Sequence, residues 1–338
     1  MKVVEIRDAF GFEHLKVCER PAPQPGPGQI LIHVKAASLN YRDLLTIQGF
    51  YNPKQKLPLI PCSDGAGDVA AVGDGVTRVK VGDRVAACFA QGWIAGPPTR
   101  EKLLNTTLGG PLDGMLAEQI VLHESGVVKV PEHLTNEEAA TLPCAAMTAW
   151  SALVRHGQTK PGDTVLVLGT GGVSIFSLQF ARMLGATVII TSSSDEKLAR
   201  AKQLGAAHGI NYSTNPNWSK QVRELTGGEG VDHVIEVGGT GTLTQSMRSV
   251  KMGGTISLIG VLSGPEAPLN LTPILMQDIR LQGVIVGPRD AFDDMDRAIA
   301  LHNLKPVVDK VFPMADIQAA VEYMAAGRHF GKVCVRVA

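Results

Sequence analysis

Four residues in the middle of the chain, Gly169-Thr170-Gly171-Gly172, have the types and spacing that bind a phosphate group. An apolar run, 165–168, precedes them, and apolar residues at helical spacing follow from Val173. Glycines permit a tight turn and close approach of the backbone to a pyrophosphate, and a helix start presents free N–H groups. A β-branched run, 187–191, comes next. This order of strand, turn, helix and strand predicts dinucleotide binding; an ordinary packing turn is the alternative.

The end of the second predicted strand bears on which dinucleotide binds. In sites that prefer NAD(H), an acidic residue there bonds the ribose 2′-OH. Here the strand ends in Ser192-Ser193-Ser194, whose hydroxyls can donate to a 2′-phosphate that a carboxylate would repel. Lys197 follows within reach of that phosphate. These residues favour NADP(H) over NAD(H); the alternative is that the serines cap the helix that begins at Asp195.

Three later turns are predicted to meet the nicotinamide end of the cofactor. They are Val237-Gly238-Gly239, Gly260-Val261-Leu262 and Val286-Gly287. Small residues let the backbone approach a ligand and offer N–H and C=O groups to a carboxamide. The alternative is that these are plain loop glycines.

The elements that position these turns alternate between strand and helix from Thr164 onward. The predicted strands are 164–168, 187–191, 208–211, 232–236, 254–259 and 281–286, and the predicted helices are 173–184, 195–204, 217–226 and 241–250. Alternation of this kind indicates an α/β fold, a doubly wound parallel sheet covered by helices on both faces. Ligands of this fold lie beyond the carboxyl ends of the strands. The apolar last strand would form an exposed edge that favours pairing.

The flanking regions have different patterns. Residues 1 to about 125 consist of short alternating segments between Pro/Gly turns, which predicts mostly β structure. Thr135 and Glu138 form a capping-box pattern at a helix start, and we expect that helix to break at Leu142-Pro143-Cys144. The closing segment, 332–337, is expected to return as a strand to the N-terminal β region, so that the nucleotide domain is inserted into the first domain.

Composition excludes several functional classes. Lysine plus arginine equals aspartate plus glutamate, 32 each among 338 residues, so no net field attracts nucleic acid or an anionic membrane. The N-terminus does not have the pattern of a signal peptide, and no uncharged apolar run has membrane length, so a cytoplasmic location is expected. Five scattered cysteines without a CxxC pair disfavour a disulfide framework and a structural zinc lobe.

Five motifs, in order along nearly the whole chain, resemble those of the medium-chain dehydrogenase/reductase superfamily. They are Pro61-Cys62-Ser63-Asp64-Gly65-Ala66-Gly67, Val81-Gly82-Asp83-Arg84-Val85, Leu142-Pro143-Cys144-Ala145-Ala146-Met147-Thr148-Ala149-Trp150, Gly169-Thr170-Gly171-Gly172-Val173 and Phe330-Gly331-Lys332-Val333. The resemblance implies a GroES-like catalytic domain from 1–130 and 290–338, and a Rossmann domain from 131–289. It also places Ser192 where the acidic residue of NAD(H) sites stands, and implies cofactor contacts for Tyr212 and Lys332.

The resemblance also indicates a branch of that superfamily. Its zinc-type alcohol dehydrogenases bind catalytic zinc through a Cys, a His-Glu pair and a second Cys, but the corresponding residues here are Asn40, Ser63-Asp64 and Cys144. Zinc takes Cys, His or carboxylate ligands, usually three from the protein, so no catalytic metal is expected. A shifted site of Cys62, Asp64 and Cys144 is disfavoured, because adjacent residues of an extended segment point to opposite faces. The chain resembles the zinc-lacking quinone oxidoreductase-like branch.

That branch implies hydride transfer from NADPH to a quinone or an α,β-unsaturated carbonyl, without metal. Alcohol dehydrogenase activity and a non-catalytic NADPH-binding role are the alternatives. The candidate catalytic residues, which surround the position of the missing metal, are Asn40, Tyr51, Ser63, Asp64 and Thr148. Relatives pair the last Rossmann strand across a two-fold axis, which implies a homodimer. The expected partner is a small-molecule carbonyl or quinone.

Overall fold

The computed structural model describes residues 1–266 and 268–338, which fold into two compact units. The first unit comprises 1–147 and 286–338, and the second comprises 148–285. The insertion of one unit into the other agrees with the sequence, but the first boundary falls at 147 instead of 130. The cause is that the residues from 136 to 146 pack against the β strands of the first unit.

The first unit begins with a β-rich region. Its elements are β1 (Lys2–Ile6), β2 (Leu15–Glu19), β3 (Gln29–Leu39), α1 (Tyr41–Ile47), β4 (Asp64–Val72), β5 (Arg84–Ala87), α2 (Arg100–Leu104), β6 (Gln119–His123), β7 (Val127–Lys129) and α3 (Asn136–Ala140). The long strand β3 pairs antiparallel with both β4 and β6. Thr135 and Glu138 form the predicted capping box of α3.

The second unit alternates strands and helices as predicted. Its elements are α4 (Met147–Trp150), whose first residue belongs to the first unit, β8 (Thr164–Val167), α5 (Gly172–Met183), β9 (Thr187–Ser192), α6 (Asp195–Gln203), β10 (His208–Asn211), α7 (Trp218–Leu225), β11 (Val231–Glu236), α8 (Leu243–Ser249), β12 (Val250–Leu258), α9 (Thr272–Met276) and β13 (Arg280–Gly283). All strand pairs are parallel, in the order β10-β9-β8-β11-β12-β13. This is the doubly wound Rossmann order, and β13 is an edge strand as predicted.

The chain then returns to the first unit through α10 (Arg289–Leu301), β14 (Val308–Pro313), α11 (Ile317–Ala325) and β15 (Lys332–Arg336). Strand β15 pairs antiparallel with β3, with Val333 opposite Leu39, and parallel with β14. The predicted return of the last strand is therefore confirmed. In the described ranges, no helix is long and apolar enough to cross a membrane.

The helix breaks one residue before Leu142: α3 ends at Ala140, and Thr141 forms a turn. Helical structure then resumes, with π-helical segments at Leu142–Ala146 and Ser151–His156 on either side of α4. Pro143 lies in the first turn of the first π-helical segment. At a helix start the backbone N–H that proline lacks has no intrahelical partner, so proline is tolerated there.

Candidate functional site

The glycine turn after β8 has the conformation that the sequence predicts. Gly169 has φ 74°, in the left-handed region that favours glycine. The third motif position is Ser174, which is buried in α5 and donates from Oγ to Leu168 O at 2.7 Å. The serine thereby ties the first turn of the helix to the end of the strand. The predicted phosphate-binding residues stand together at this carboxyl end: Gly169, Thr170, Gly171, Gly172 and Val173.

The end of β9 carries the serines that bear on the cofactor. Ser192 is buried, and its Oγ accepts from Ser194 N at 3.3 Å. Ser194 Oγ accepts from Lys197 N, so Ser194 is the cap of α6, while Ser193 is exposed. Tyr212 lies beside this end and donates from its backbone N to Ser192 O at 3.0 Å. The capping alternative therefore applies to Ser194, and a contact between Ser192 and the ribose of a cofactor stays a prediction.

Glu236, which sequence reasoning missed, controls the turn after β11. Its carboxylate is 0% exposed. Oε1 accepts from Gly238 N at 2.7 Å, Gly239 N at 3.1 Å and Thr242 Oγ1 at 2.7 Å, and Oε2 accepts from Ser246 Oγ at 2.5 Å. The expectation that this turn offers amide N–H groups to a nicotinamide is corrected at Gly238 and Gly239, because Glu236 uses both amides.

The turn after β12 packs directly against the turn after β11. A Cβ on Gly260 would lie 2.6 Å from Val237 O, so the close approach of the two turns requires glycine. Val261 and Leu262 remain 47% and 52% exposed. The two turns thus present a small apolar surface at the carboxyl end of the sheet.

The third predicted nicotinamide turn, Val286-Gly287, belongs to the first unit, and Val286 is buried there. The contact of this turn with a cofactor stays a prediction.

A polar cluster in the first unit contains three of the candidate catalytic residues. Lys332, at the start of β15, is buried and donates from Nζ to Asn40 Oδ1 at 2.6 Å and to Leu39 O at 2.7 Å. Asn40 caps α1, and its backbone N donates to Asp43 Oδ2 at 2.7 Å. The structure therefore shows Lys332 as an internal cation; the cofactor contact implied by the resemblance stays a prediction.

Asp64 is the buried anion of the same cluster. Its Oδ1 accepts from Ser63 Oγ at 2.7 Å and its Oδ2 accepts from Cys144 N at 3.0 Å. Burial raises the pKa of Asp64, opposed by the positive charge of Lys332 and by hydrogen bonds from Asn40 and Ser63. Asn40, Ser63 and Asp64 thus lie in one cluster, in which Asn40 binds Lys332, and Asp64 accepts from Ser63 and Cys144.

Tyr51 is the exposed member of the predicted catalytic set, with 54% of its surface accessible. Its ring centroid lies 4.8 Å from the guanidinium carbon of Arg42, whose other contact is the Phe89 ring at 5.0 Å. Arg42 also donates to Leu108 O at 2.9 Å, whereas its ion pair with Asp43 is long, at 3.8 Å. Burial raises the pKa of Asp43 to about 6, opposed by the charge of Arg42. Arg42 therefore holds the Tyr51 ring chiefly through cation–π contact.

The remaining candidates are Thr148 and the cysteines. Thr148 is buried on α4 and belongs to the second unit, whereas the other four candidates belong to the first. Cys62 has φ 75° and directs its thiol to Ser38 O and Asp64 O, both at 3.4 Å. Burial raises the pKa of the Cys62 and Cys144 thiols, which keeps both protonated. The thiol of Cys62 thus bonds to backbone carbonyls, as expected if it points away from a metal position.

Comparisons with known proteins agree with this two-part architecture. Residues 26–132 match the model of the alcohol dehydrogenase GroES-like domain, and residues 172–301 match that of the zinc-binding dehydrogenase family. A zinc-type alcohol dehydrogenase-like protein of Schizosaccharomyces pombe is 45% identical over 344 residues, covering 100% of this chain and 99% of its own. The chain belongs to the medium-chain dehydrogenase/reductase superfamily. It is an oxidoreductase of the zinc-type alcohol dehydrogenase-like family, with a Rossmann-type dinucleotide-binding unit.

Solved structures similar to this dehydrogenase/reductase differ in the cofactor that their names give. An NAD-dependent alcohol dehydrogenase is 36% identical, covers 100% of both chains and superposes with a TM-score of 0.93. A mycobacterial protein complexed with NADPH, and a mycobacterial quinone oxidoreductase, are each 30% identical over 99% of both chains, with a TM-score of 0.81. The fold is therefore shown, and the choice of cofactor depends on this chain's own residues.

The names of the matching families refer to zinc. Whether this dehydrogenase/reductase could bind a zinc ion depends on the side chains at the predicted ligand positions. Asn40 Oδ1 accepts from an ammonium, and Ser63 Oγ donates to Asp64. Within the described ranges, no group of three His, Cys, Asp or Glu side chains could hold a metal ion. A dication beside the Lys332 ammonium would also be repelled. The residues present do not fit a catalytic zinc.

Proposed function

We propose that this chain catalyses hydride transfer from NADPH to a quinone or an α,β-unsaturated carbonyl without catalytic zinc. The observation that carries the proposal is the polar cluster of Lys332, Asn40, Ser63 and Asp64, which uses its donors internally. By the resemblance, Asn40 and Ser63-Asp64 occupy positions of the family's zinc ligands. Reduction of a simple aldehyde concentrates charge on one oxygen, which a zinc ion stabilises well, whereas a conjugated acceptor spreads its developing charge.

The cofactor part of the proposal rests on the end of β9. The buried Ser192 places a hydroxyl, not a carboxylate, where the ribose 2′ position would approach, so a 2′-phosphate meets no repulsion. Lys197 lies in the first turn of α6, where a cation can approach that phosphate. When bound, the cofactor supplies the hydride; the chain orients it and protects it from water.

On the acceptor side, Tyr51 is the candidate donor. Its hydroxyl belongs to an exposed side chain whose ring is fixed by the buried Arg42. A hydrogen bond from this hydroxyl to the acceptor oxygen would stabilise the charge that develops there. We expect Tyr51→Phe to lower kcat about 10-fold while changing the KM for NADPH little.

The cofactor proposal is tested by steady-state kinetics with NADPH and NADH. Ser192→Asp should lower the ratio of kcat/KM for NADPH over NADH by about 100-fold, because a carboxylate repels the 2′-phosphate and accepts from a 2′-OH. The matched control is Thr187→Asp, which places a carboxylate at the opposite, amino-terminal end of the same strand. An unchanged ratio in Ser192→Asp would show that the assignment is wrong.

The acceptor class is tested by NADPH oxidation with a panel of quinones, enones and simple aldehydes, together with zinc analysis of the purified protein. Turnover of conjugated acceptors that persists after dialysis against a chelator supports the proposal. Cofactor binding without turnover of any acceptor would favour the non-catalytic alternative.

Alcohol dehydrogenase activity is the second candidate, and the names of the relatives favour it. It requires zinc at about one atom per chain and oxidation of alcohols that is lost on chelation. That outcome would replace the first proposal.

We also propose a homodimer through the free edge of β13. Apolar side chains near this edge are exposed, notably Leu271 at 64%, Leu275 at 80%, Met276 at 69% and Ile285 at 53%. An unpaired strand edge beside apolar surface is a pairing site. Light scattering should give twice the chain mass, and Leu275→Glu should shift the protein to monomer.

A further inference from the structure

Glu236 is a fully buried carboxylate for which the described part of the chain supplies no Lys or Arg partner. All four of its hydrogen bonds come from neutral donors: two backbone amides and two hydroxyls. A buried anion is retained only where its acceptor capacity is used, because desolvation is costly. The geometry of these donors indicates what the carboxylate does.

Three of the four donors bind one oxygen, Oε1, and they come from the turn after β11 and the start of α8. Gly238 N and Gly239 N fix the backbone of the turn, and Thr242 Oγ1 fixes the residue just before the helix. The single donor on Oε2, Ser246 Oγ, belongs to the helix itself. One carboxylate therefore sets the path of the chain from the strand to the helix.

The turn after β11, fixed in this way, is hydrogen-bonded to the turn after β12. Gly238 O accepts from Ser263 N at 2.7 Å and from Ser263 Oγ at 2.6 Å, and Ser263 Oγ accepts from Gly241 N at 2.9 Å. Thr240 Oγ1 donates to Gly264 O at 3.1 Å. The hydrogen bonds run without interruption from Glu236 through the first turn to the second, which carries the half-exposed Val261 and Leu262.

We infer that Glu236 is a positioning residue for the cofactor: it holds both turns that face the nicotinamide, without touching the nicotinamide itself. This inference rests on the proposed function for the identity of the ligand. Glycine-rich turns lose their conformation readily, because glycine has the largest backbone freedom. The hydrogen bonds of Glu236 therefore keep Val261 and Leu262 in place before the cofactor binds.

Two substitutions of Glu236 separate the effect of its hydrogen bonds from the effect of its negative charge. Glu236→Gln retains an acceptor oxygen for the three Oε1 donors, and its new NH₂ can donate to Ser246 Oγ, which can accept. Glu236→Ala removes every anchor. We expect the Kd for NADPH, measured by fluorescence titration without any acceptor substrate, to rise less than about 5-fold in Glu236→Gln and more than about 50-fold in Glu236→Ala.

Ser246→Ala is the matched control, because it removes one hydrogen bond to the same carboxylate but none to the turns. Its Kd should stay within about 2-fold of the wild type. Ser263→Ala provides an independent arm on an exposed residue, should Glu236→Ala fail to fold. It removes the two hydrogen bonds of Ser263 Oγ, to Gly238 O and from Gly241 N, and leaves the backbone bond from Ser263 N to Gly238 O. It should raise the Kd about 5-fold to 10-fold with an unchanged Tm.

The outcomes are distinct. A Kd for Ser263→Ala equal to that of the wild type, or a Glu236→Gln as weak as a folded Glu236→Ala, would overturn the positioning role. Wild-type protein that binds NADH and not NADPH would overturn the proposed cofactor instead, and the same variants would then be titrated with NADH.

Discussion

The two units stabilise their buried ionisable groups with different partners. In the first unit, charges face charges: Lys332 lies within the cluster that holds Asp64, and Arg42 lies beside Asp43. In the second unit, the buried groups bind hydroxyls and backbone amides. Glu236 accepts from Thr242 and Ser246, and the ring of His233 contacts Ser257 Oγ at 2.8 Å and Thr159 Oγ1 at 3.4 Å.

This difference shows how tolerant each region should be to substitution. Removing one member of a buried ionic cluster leaves an uncompensated charge in a medium of low dielectric, which is costly. A neutral hydroxyl network loses only the hydrogen bond that is removed. Four predictions test this comparison, in order of decreasing effect.

Replacement of the internal cation should have the largest effect. Lys332→Met leaves Asp64 without its nearest positive charge, so we expect the free energy of unfolding to fall by about 3–5 kcal/mol. Lys251→Met is the control, since it breaks the more exposed pair with Asp232 and should cost less than about 1 kcal/mol. Urea titration measures the free energy of unfolding of both variants. An equally small decrease in the two would show that the stability of the first unit does not depend on Lys332.

Acid should destabilise the second unit through His233. Burial lowers the pKa of His233 to about 4, below the ordinary value of 6.5, so the folded state favours the neutral ring. This stability is present above pH 6.5 and is lost as the pH falls towards 4, with a change of about 3 kcal/mol. The difference in unfolding free energy between wild type and His233→Gln should shrink over this interval. His302→Gln, at an exposed position, should leave the pH dependence unchanged.

Asp296 is an exception within the first unit, because neither of its carboxyl oxygens has a hydrogen-bond partner among the residues that the structure describes. Burial, and secondarily the charge of Asp293, raises the pKa of Asp296 well above its ordinary range. Asp296 therefore lowers the free energy of unfolding of the wild type increasingly as the pH rises above about 4, because its carboxyl group ionises there in the unfolded chain. Asp296→Asn should match wild type near pH 4 and be more stable by about 1–3 kcal/mol at pH 8. The exposed Asp294→Asn serves as the control, and a destabilised Asp296→Asn at pH 8 would contradict the prediction.

The smallest effect is expected for Glu236→Gln. The three donors on Oε1 keep an acceptor and no ion pair is lost, so thermal unfolding should change by less than about 1 kcal/mol. A loss as large as that of Lys332→Met would show that the two units do not differ in the way described.

Much of the fold was predictable from local patterns. The six parallel strands, the edge position of β13, the capping box at Thr135 and the return of β15 all follow from apolar period, turn residues and motif order. The first unit extends to 147, beyond the predicted boundary at 130, because of packing that local patterns do not record. Neither composition nor periodicity records that the segment from 136 to 146 packs on β3 and β4.

The candidate site was predictable in part. The sequence predicted Asn40, Ser63 and Asp64 at one site, because family motifs mark their positions. It missed Glu236, although a lone acid at the end of an apolar strand, just before a glycine pair, was a usable signal. It also assigned Lys332 only a cofactor contact, because the acceptor that this ammonium meets, Asn40 Oδ1, lies 292 residues earlier in the chain.

Residue types can be read directly from the chain: glycines at the predicted phosphate turn, serine in place of an acid after β9, and Asn40 and Ser63 at positions where zinc ligands are expected. Which donors are already used depends on the fold. The amides of Gly238 and Gly239 bind Glu236, and the carboxamide oxygen of Asn40 binds Lys332. A hydrogen-bonding group buried by folding must find its partner among residues that folding brings near, so its availability to a ligand is a property of the folded chain.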